Sequence, residues 1–298
     1  MTCGRKGSIM HRFRLPLALV LSLGLAAACA PISRSPTTVT AGPAVPAVET
    51  LTLSAPDGRS VPVLVVAPAR PVGVVLFSHG GGTSLAAIRP VIDRLAGEGF
   101  AVIAPTHADS IDRPSDQRST LQAAFATRIG DMATVSGFAS SRFAGLPQAA
   151  LGHSYGALTG LLAGGAFTPM VPGRVEAVKA VVMFSSPGPI PGLSEAPHPL
   201  DGVKVPTLLI TGTADTVPGF VADPAAHLFY FDRLLPGDHT ALVVKGAAHN
   251  FMIGADTGSE RSWLLVVDFL KARLTGDSRA AARFAAAHSD DQTDVRRR

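Results

Sequence analysis

The stretch L-G-H-S-Y-G-A-L at 151–158 sets one serine, Ser154, between Gly152 and Gly156, after an apolar run and before an Ala/Leu-rich one. A serine hydroxyl is a weak nucleophile unless a base takes its proton and an acid orients that base. G-x-S-x-G between a strand and a helix is the setting in which the hydroxyl stands exposed at a helix N-terminus, where amides and the helix dipole favour developing negative charge. His249, in G-A-A-H-N-F, is the candidate base. His227 and His239 are its rivals; the first falls inside an expected helix and the second begins a strand, at the wrong edge of the sheet. Asp215, in I-T-G-T-A-D, is the candidate acid, with Asp223 as the nearest alternative. The chain order is then Ser, Asp, His. H-G-G-G at 79–82 offers flexible backbone N–H groups to a developing oxyanion. Gly80 or Gly81 would supply one donor and the amide of Tyr155 the other, while His79 is read as fixing the loop.

Such residues must be brought together by a scaffold. Short, nearly all-apolar runs at 72–78, 100–105, 149–154, 179–186, 207–212 and 239–246 read as strands buried on both faces of a parallel sheet. Residues 84–99, 114–141, 222–235 and 259–274 have helical patterning, and a helix also starts after Ser154. E-T-L-T-L-S-A and V-P-V-L-V-V-A-P flank the turn P-D-G at 56–58 and read as a leading hairpin. Strands alternating with helices predict an α/β fold with a mostly parallel sheet of about eight strands and helices on both faces. In such folds ligands sit beyond the carboxyl ends of the strands. His79, Ser154, Asp215 and His249 each follow a strand, so the pattern places them on one rim.

The same rule draws attention to T-H-A-D-S at 106–110. His107 is taken as a substrate-binding candidate there, although a role in bracing the long loop that follows is the favoured reading. Tyr155, Phe184, Phe220 and Phe251, at or after strand ends, are taken as candidates to line the acyl or alcohol side of the pocket. His107 and Asp109 have no third ligand at a sensible spacing, so no metal site is expected. No dinucleotide fingerprint and no P-loop are present, and no cofactor is expected.

With 47% hydrophobic and 16% charged residues, the chain can build a large core and is not a disordered protein. Its net charge of +4 comes from Arg5, Lys6, Arg12 and Arg14; without those four, basic and acidic residues balance at 22 each. The basic balance therefore gives no reason to expect a nucleic-acid partner. These charges precede the apolar run L-P-L-A-L-V-L-S-L-G-L-A-A-A at 15–28, too short for a comfortable membrane span and of the length found in an export signal. Met1 or Met10 could start it. The run ends A-A-A-C-A, so Cys29 is a candidate for lipidation, which would anchor an exported domain to a bacterial membrane; cleavage at a small-residue site and simple secretion is the alternative. Cys3 and Cys29 are the two cysteines, so a chain beginning at Cys29 has no internal disulfide. Residues 29–48 read as a flexible tether, 49–275 as the catalytic domain, and 276–298 as a partly disordered tail.

Taken together, S-H-G-G-G-T-S, A-P-T-H-A-D-S, G-H-S-Y-G-A, T-G-T-A-D and A-A-H-N-F resemble the α/β-hydrolase superfamily, and within it the bacterial dienelactone-hydrolase-like and platelet-activating-factor-acetylhydrolase-like members. The resemblance covers roughly residues 50–275. It implies the α/β-hydrolase fold, here with no large cap domain because 187–205 is short and Pro/Gly-rich, and a small-molecule ester as substrate. Dienelactone hydrolases proper use a cysteine where Ser154 stands, which favours carboxylic esters. A peptidase or acyltransferase using the same three residues, and a non-catalytic binding lipoprotein, are the alternative readings.

Overall fold

The computed structural model describes residues 46–254 and 257–298. The expected signal, Cys29 and nearly all of the tether lie outside the described residues. The chain opens with β1 (Ala47–Ser54) and β2 (Ser60–Ala67), paired antiparallel across the P-D-G turn. Then follow β3 (Gly73–Ser78), α1 (Leu85–Gly97), β4 (Phe100–Pro105), α2 (Leu121–Arg142), β5 (Gln148–His153), α3 (Tyr155–Ala163), β6 (Val178–Phe184), β7 (Thr207–Gly212), β8 (His239–Val244), α4 (Thr257–Leu270), α5 (Ser278–Ala286) and β9 (Thr293–Arg297). The sheet order is β1-β2-β4-β3-β5-β6-β7-β8-β9. From β4 to β8 all neighbours are parallel, whereas β2 and β9 join antiparallel at the two sides.

Period-2 alternation explains the layers. Val74 and Leu76 of β3 face one side with Leu158, Leu161 and Leu162 of α3 and Val135 of α2. Val75 and Phe77 face the other, with Ile88, Ile92 and Leu95 of α1 and Trp263, Val266 and Phe269 of α4. Every residue of β3, β4, β5 and β7 is buried, as strands covered on both faces must be. Helix starts are capped: Ser84 accepts from Ala87 N–H at α1, and Thr120 from Ala123 N–H at α2. β3 lies between β4 and β5, so the connections leave it in opposite directions. That is a topological switch point, and folds of this kind bind their ligands at such a point, here at the carboxyl ends of β3 and β5.

Three expectations need correction. Residues 222–235 form two short 3₁₀ turns, Pro224–Leu228 and Phe231–Arg233, rather than a helix; Pro224 and the side-chain cap from Asp223 start a turn that stops after five residues. The tether boundary falls early, since Ala47 and Val48 already pair in β1. Third, the tail is ordered and supplies a ninth strand. Asp277 caps α5 by accepting from Arg279 and Ala280 N–H; Ala280 and Phe284, four residues apart, turn inward, and Phe284 meets Phe269 at 5.3 Å between ring centroids. β9 then pairs with β8, Thr293 opposite Val244 and Arg297 opposite Thr240. Its Asp294, Arg296 and Arg297 keep the outer edge charged, which discourages pairing with another chain.

Deleting 278–298 should uncover the Phe269 face and the β8 edge. Loss of several kcal/mol is expected, which lowers Tm by roughly 10 °C, with aggregation through the open edge. Thermal melts with light scattering check this; an unchanged melt would mean that the tail is not docked.

Candidate active site

β5 ends at His153 and α3 begins at Tyr155, leaving Ser154 to turn the chain. Ser154 has φ 54° and ψ −122°, a strained backbone for a residue with a side chain. Its N–H donates to the Phe184 carbonyl at 2.9 Å, which fixes the turn on the end of β6. The flanking glycines are required by space. A Cβ on Gly152 would lie 2.0 Å from the Gly156 carbonyl oxygen, and one on Gly156 would lie 1.9 Å from that of Ser78. Ser154 is partly exposed, with α3 behind it.

Asp215 follows β7 and is completely buried. Its Oδ1 accepts from His249 Nδ1 at 2.8 Å and its Oδ2 from Thr211 Oγ1 at 2.8 Å. Burial pushes the carboxyl up, but hydrogen bonds from His227, His249 and Ser185 outweigh it and hold it well below the usual carboxylate range. His249 keeps a 17% exposed side chain, and with Nδ1 engaged its Nε2 is the nitrogen free to take a proton. The backbone of His249 is gripped from the sheet: its carbonyl accepts from His153 Nε2 at 2.8 Å and from Ser185 Oγ at 3.3 Å. His153 immediately precedes Ser154, so the Ser154 turn and the His249 loop are tied through one side chain. The rings of His153 and His249 lie 4.7 Å apart.

The H-G-G-G loop is held from behind. Arg128 of α2, 1% exposed, donates to both Asp109 oxygens, at 2.9 and 2.8 Å. The same guanidinium donates to the His79 carbonyl at 2.8 Å and to the Gly80 carbonyl at 3.1 Å. Asp109 Oδ2 in turn accepts from Gly82 N–H at 2.9 Å. In a trans peptide C=O and N–H point oppositely. Turning the His79 and Gly80 carbonyls onto Arg128 therefore aims the N–H groups of Gly80 and Gly81 away from it. Of the two, Gly80 is the one beside Ser154, since a Cβ there would lie 3.5 Å from Ser154 Cβ. Tyr155 N–H opens α3, where first-turn amides lack intrahelical acceptors. Burial alone would raise the Asp109 carboxyl, yet Arg128 and the Gly82 amide bring it down to about 2.

Known proteins can now be set beside this geometry. The family model described as serine aminopeptidase, S33, matches residues 69–188, a span that holds Ser154 but neither Asp215 nor His249. An esterase of Pyrococcus furiosus superposes with a TM-score of 0.60 at 17% identity, covering 76% of this chain and 93% of that one. The chain has the α/β-hydrolase fold. A cold-adapted esterase from an Arctic intertidal metagenomic library superposes with a TM-score of 0.53 at 21% identity, over 76% of this chain and 94% of its own. No curated protein sequence matches the chain.

Within this hydrolase fold, several sequence-level expectations are displaced. His107 takes the bracing role favoured for it and not the substrate-binding one. It is fully buried, with Nδ1 2.8 Å from Asp131 Oδ2 and Nε2 2.9 Å from Ser78 Oγ. Burial and the nearby Arg128 push His107 well below the usual imidazole range, so it is neutral and braces the loop. Phe184 and Phe251 are core residues, packed on each other at 6.0 Å with Phe184 also on Trp263 at 5.4 Å. Among the rivals, Asp223 caps Ala225 N–H and His239 pairs with Thr207 Oγ1 at the amino end of the strands. His227 is different: its Nε2 lies 2.9 Å from Asp215 Oδ1, on the same carboxylate as His249. The ligating atoms of Asp215, His227 and His249 lie within 4.8 Å of one another, as in a metal site, but both nitrogens approach one oxygen at hydrogen-bond distance, which protons account for.

The sequence reading does not single out Arg128, Asp131 or His153, and weighs His227 only as a rival base. One signal was available for Arg128. It falls on the apolar stripe of α2 with Ala124, Met132, Val135 and Ala139, where a charge needs a buried partner.

Two outcomes follow. Arg128→Met strands Asp109, so stability should fall by about 3–5 kcal/mol, and kcat on an ester probe by about 10²–10³-fold with little change in KM, as for a lost oxyanion donor. Arg128→Lys should restore little, since an ammonium lacks the planar fork. Initial rates and melts decide; unchanged kcat in a folded Arg128→Met would sink this role. Second, burial, helped by His249, holds His153 neutral down to about 4. The unfolded histidine takes its proton near ~6.5, so the unfolded state binds more protons between those values and stability falls as pH drops through them. His153 alone should cost roughly 3 kcal/mol across that window. Tm measured from pH 7 to 4.5 checks it, and His153→Gln should flatten the slope.

Proposed function

We propose that the protein is a serine hydrolase that cleaves carboxylic esters through an acyl-enzyme. The observation that carries this reading is the His153 bridge: the residue before Ser154 holds the backbone of His249, whose Nδ1 is already on Asp215. In the proposed cycle His249 takes the Ser154 proton while Ser154 Oγ attacks the ester carbonyl. The amides of Gly80 and Tyr155 receive the oxyanion. The alcohol departs with the proton from His249, and water repeats the sequence on the acyl-enzyme. Asp215 holds the tautomer and stabilises the transient imidazolium.

An open site is supported by the connection at 185–206, which carries no helix. On the turn after Asp215, Phe220 is 77% exposed and offers an apolar contact at the rim. Short- or medium-chain esters, or exposed esters of larger molecules, suit such a site. Export is part of the proposal and is supported by the basic and apolar segments of residues 1–28; lipidation at Cys29 would hold the domain at a membrane. The S33 match favours a second reading, cleavage of an amide by the same residues.

The test is a p-nitrophenyl ester series from acetate to palmitate, with matched anilides, on wild type and Ser154→Ala. Ester turnover that drops by about 10⁴-fold or more in the variant is expected. Near-wild-type turnover in a folded Ser154→Ala would overturn the nucleophile, and cleavage of anilides without the matching esters would replace the esterase by a peptidase.

A further inference from the structure

His227 sits on the 3₁₀ turn Pro224–Leu228, and its side chain has no solvent exposure. Its backbone carbonyl accepts from Ser186 Oγ at 2.7 Å. Its ring is enclosed by acceptors. Nδ1 makes a short contact with the Ser186 carbonyl oxygen. Nε2 faces Asp215 Oδ1 at 2.9 Å and the Asp215 carbonyl oxygen at 3.0 Å. None of these oxygens carries a hydrogen when Asp215 is ionised. A neutral imidazole has one N–H, so in either tautomer one ring nitrogen would set a lone pair against an oxygen lone pair in a fully buried place. Only the doubly protonated ring satisfies both sides.

The surroundings demand the same charge. Asp215 is buried, and Thr211 brings it a neutral hydroxyl. His249 must be neutral at rest to serve as base. Among the described residues no lysine or arginine nitrogen lies within ion-pair distance of Asp215; its ion-pair partners are His227 and His249. The titratable groups facing His227 are Asp215 from the end of β7, His249 from the loop after β8, with ring centroids 5.7 Å apart, and His153 from the end of β5.

We propose that His227 is a positioning residue for the reaction, carried as an imidazolium at neutral pH on the carboxylate that serves His249. The proposal rests on the esterase reading for its kinetic part and on the hydrogen-bond geometry alone for its charge. Burial works against that charge, but the hydrogen bonds to Asp215 and to the Ser186 carbonyl prevail and raise His227. Asp215 then has both oxygens fixed by hydrogen-bond donors, and its negative charge is compensated before the reaction begins. The imidazolium that forms on His249 shares its counter-ion with a cation already present. The two rings lie 5.7 Å apart, so a cation on His227 opposes a second cation on His249.

The experiment has two readouts. Histidine ¹⁵N NMR of the wild-type protein, assigned through the backbone and checked with His227→Gln, should show both His227 nitrogens protonated at pH 7 and at pH 8, above the free imidazole value of ~6.5. The second is the pH profile of kcat/KM on a p-nitrophenyl ester. Glutamine keeps a donor for Asp215 but removes the charge, so the acid limb should move to higher pH by about one to two units. A purely structural role would lower the plateau and leave the limb in place. A neutral His227 at pH 7, or a folded His227→Gln with an unmoved limb, would overturn the proposal. If the wild type shows the imidazolium but hydrolyses no ester, the charge assignment stands and the esterase reading falls. If His227→Gln does not fold, the wild-type spectrum still decides the charge.

Discussion

Where α3 meets the sheet there is no room for a side chain. Gly156 rests on the Ser78 carbonyl and Gly152 on that of Gly156, so helix, β5 and the end of β3 touch through bare backbone. The rest of the rim depends on that contact. It forces Ser154 into its φ of 54° and turns the hydroxyl out of the fold. It also brings the loop after β3 beside the turn after β5, which is how backbone amides from two distant segments come to flank one serine. Any side chain at either glycine would have to lift the helix off the sheet.

Of the buried aspartates, Asp109 and Asp215 follow strand ends, and their surroundings divide their work. Asp109 is clamped by a permanently charged guanidinium and by a loop amide, a closed arrangement with no proton to exchange. Asp215 is held by imidazoles and hydroxyls, groups that can gain and lose protons or rotate. Buried ion pairs add little net stability relative to apolar packing and are expensive to break. The Arg128–Asp109 pair is accordingly better understood as fixing the direction of two carbonyls than as a source of stability. Around it, His79, His107, Asp131 and Arg59 extend a continuous polar network through an otherwise apolar layer.

Much of this was legible in the sequence because the relevant signals are local. The apolar runs inside β3, β4 and β5 declare burial on both faces, and the glycines around Ser154 declare a close approach. Asp215 and His249 follow their strands and do form a pair. What failed was side-chain direction. Position next to a strand end was taken to mean exposure at the rim, but Phe184 continues the alternation of Ala180 and Val182 into the layer beneath α1 and α4, and Phe251 joins it there. His107 follows β4 yet turns to α2. His227 was set aside for lying in a helical pattern, although a single 3₁₀ turn suffices to aim its ring at Asp215. The tail misled because alanine carries a weak apolar signal, and Ala280 with Phe284 is a short stripe.

The ninth strand has a consequence for how the chain comes together in time. β8 is complete at Val244, but its outer partner starts only at Thr293, about fifty residues later. At a synthesis rate of about 5–20 residues per second, several seconds separate the two. During that interval β8 can dock against β7 and receive α4 on its face, while its outer hydrogen-bonding groups have no partner from their own chain. The nascent protein therefore passes through a state with a nearly finished core and one sticky border, and a chaperone that masks strand edges would be of most use to it then.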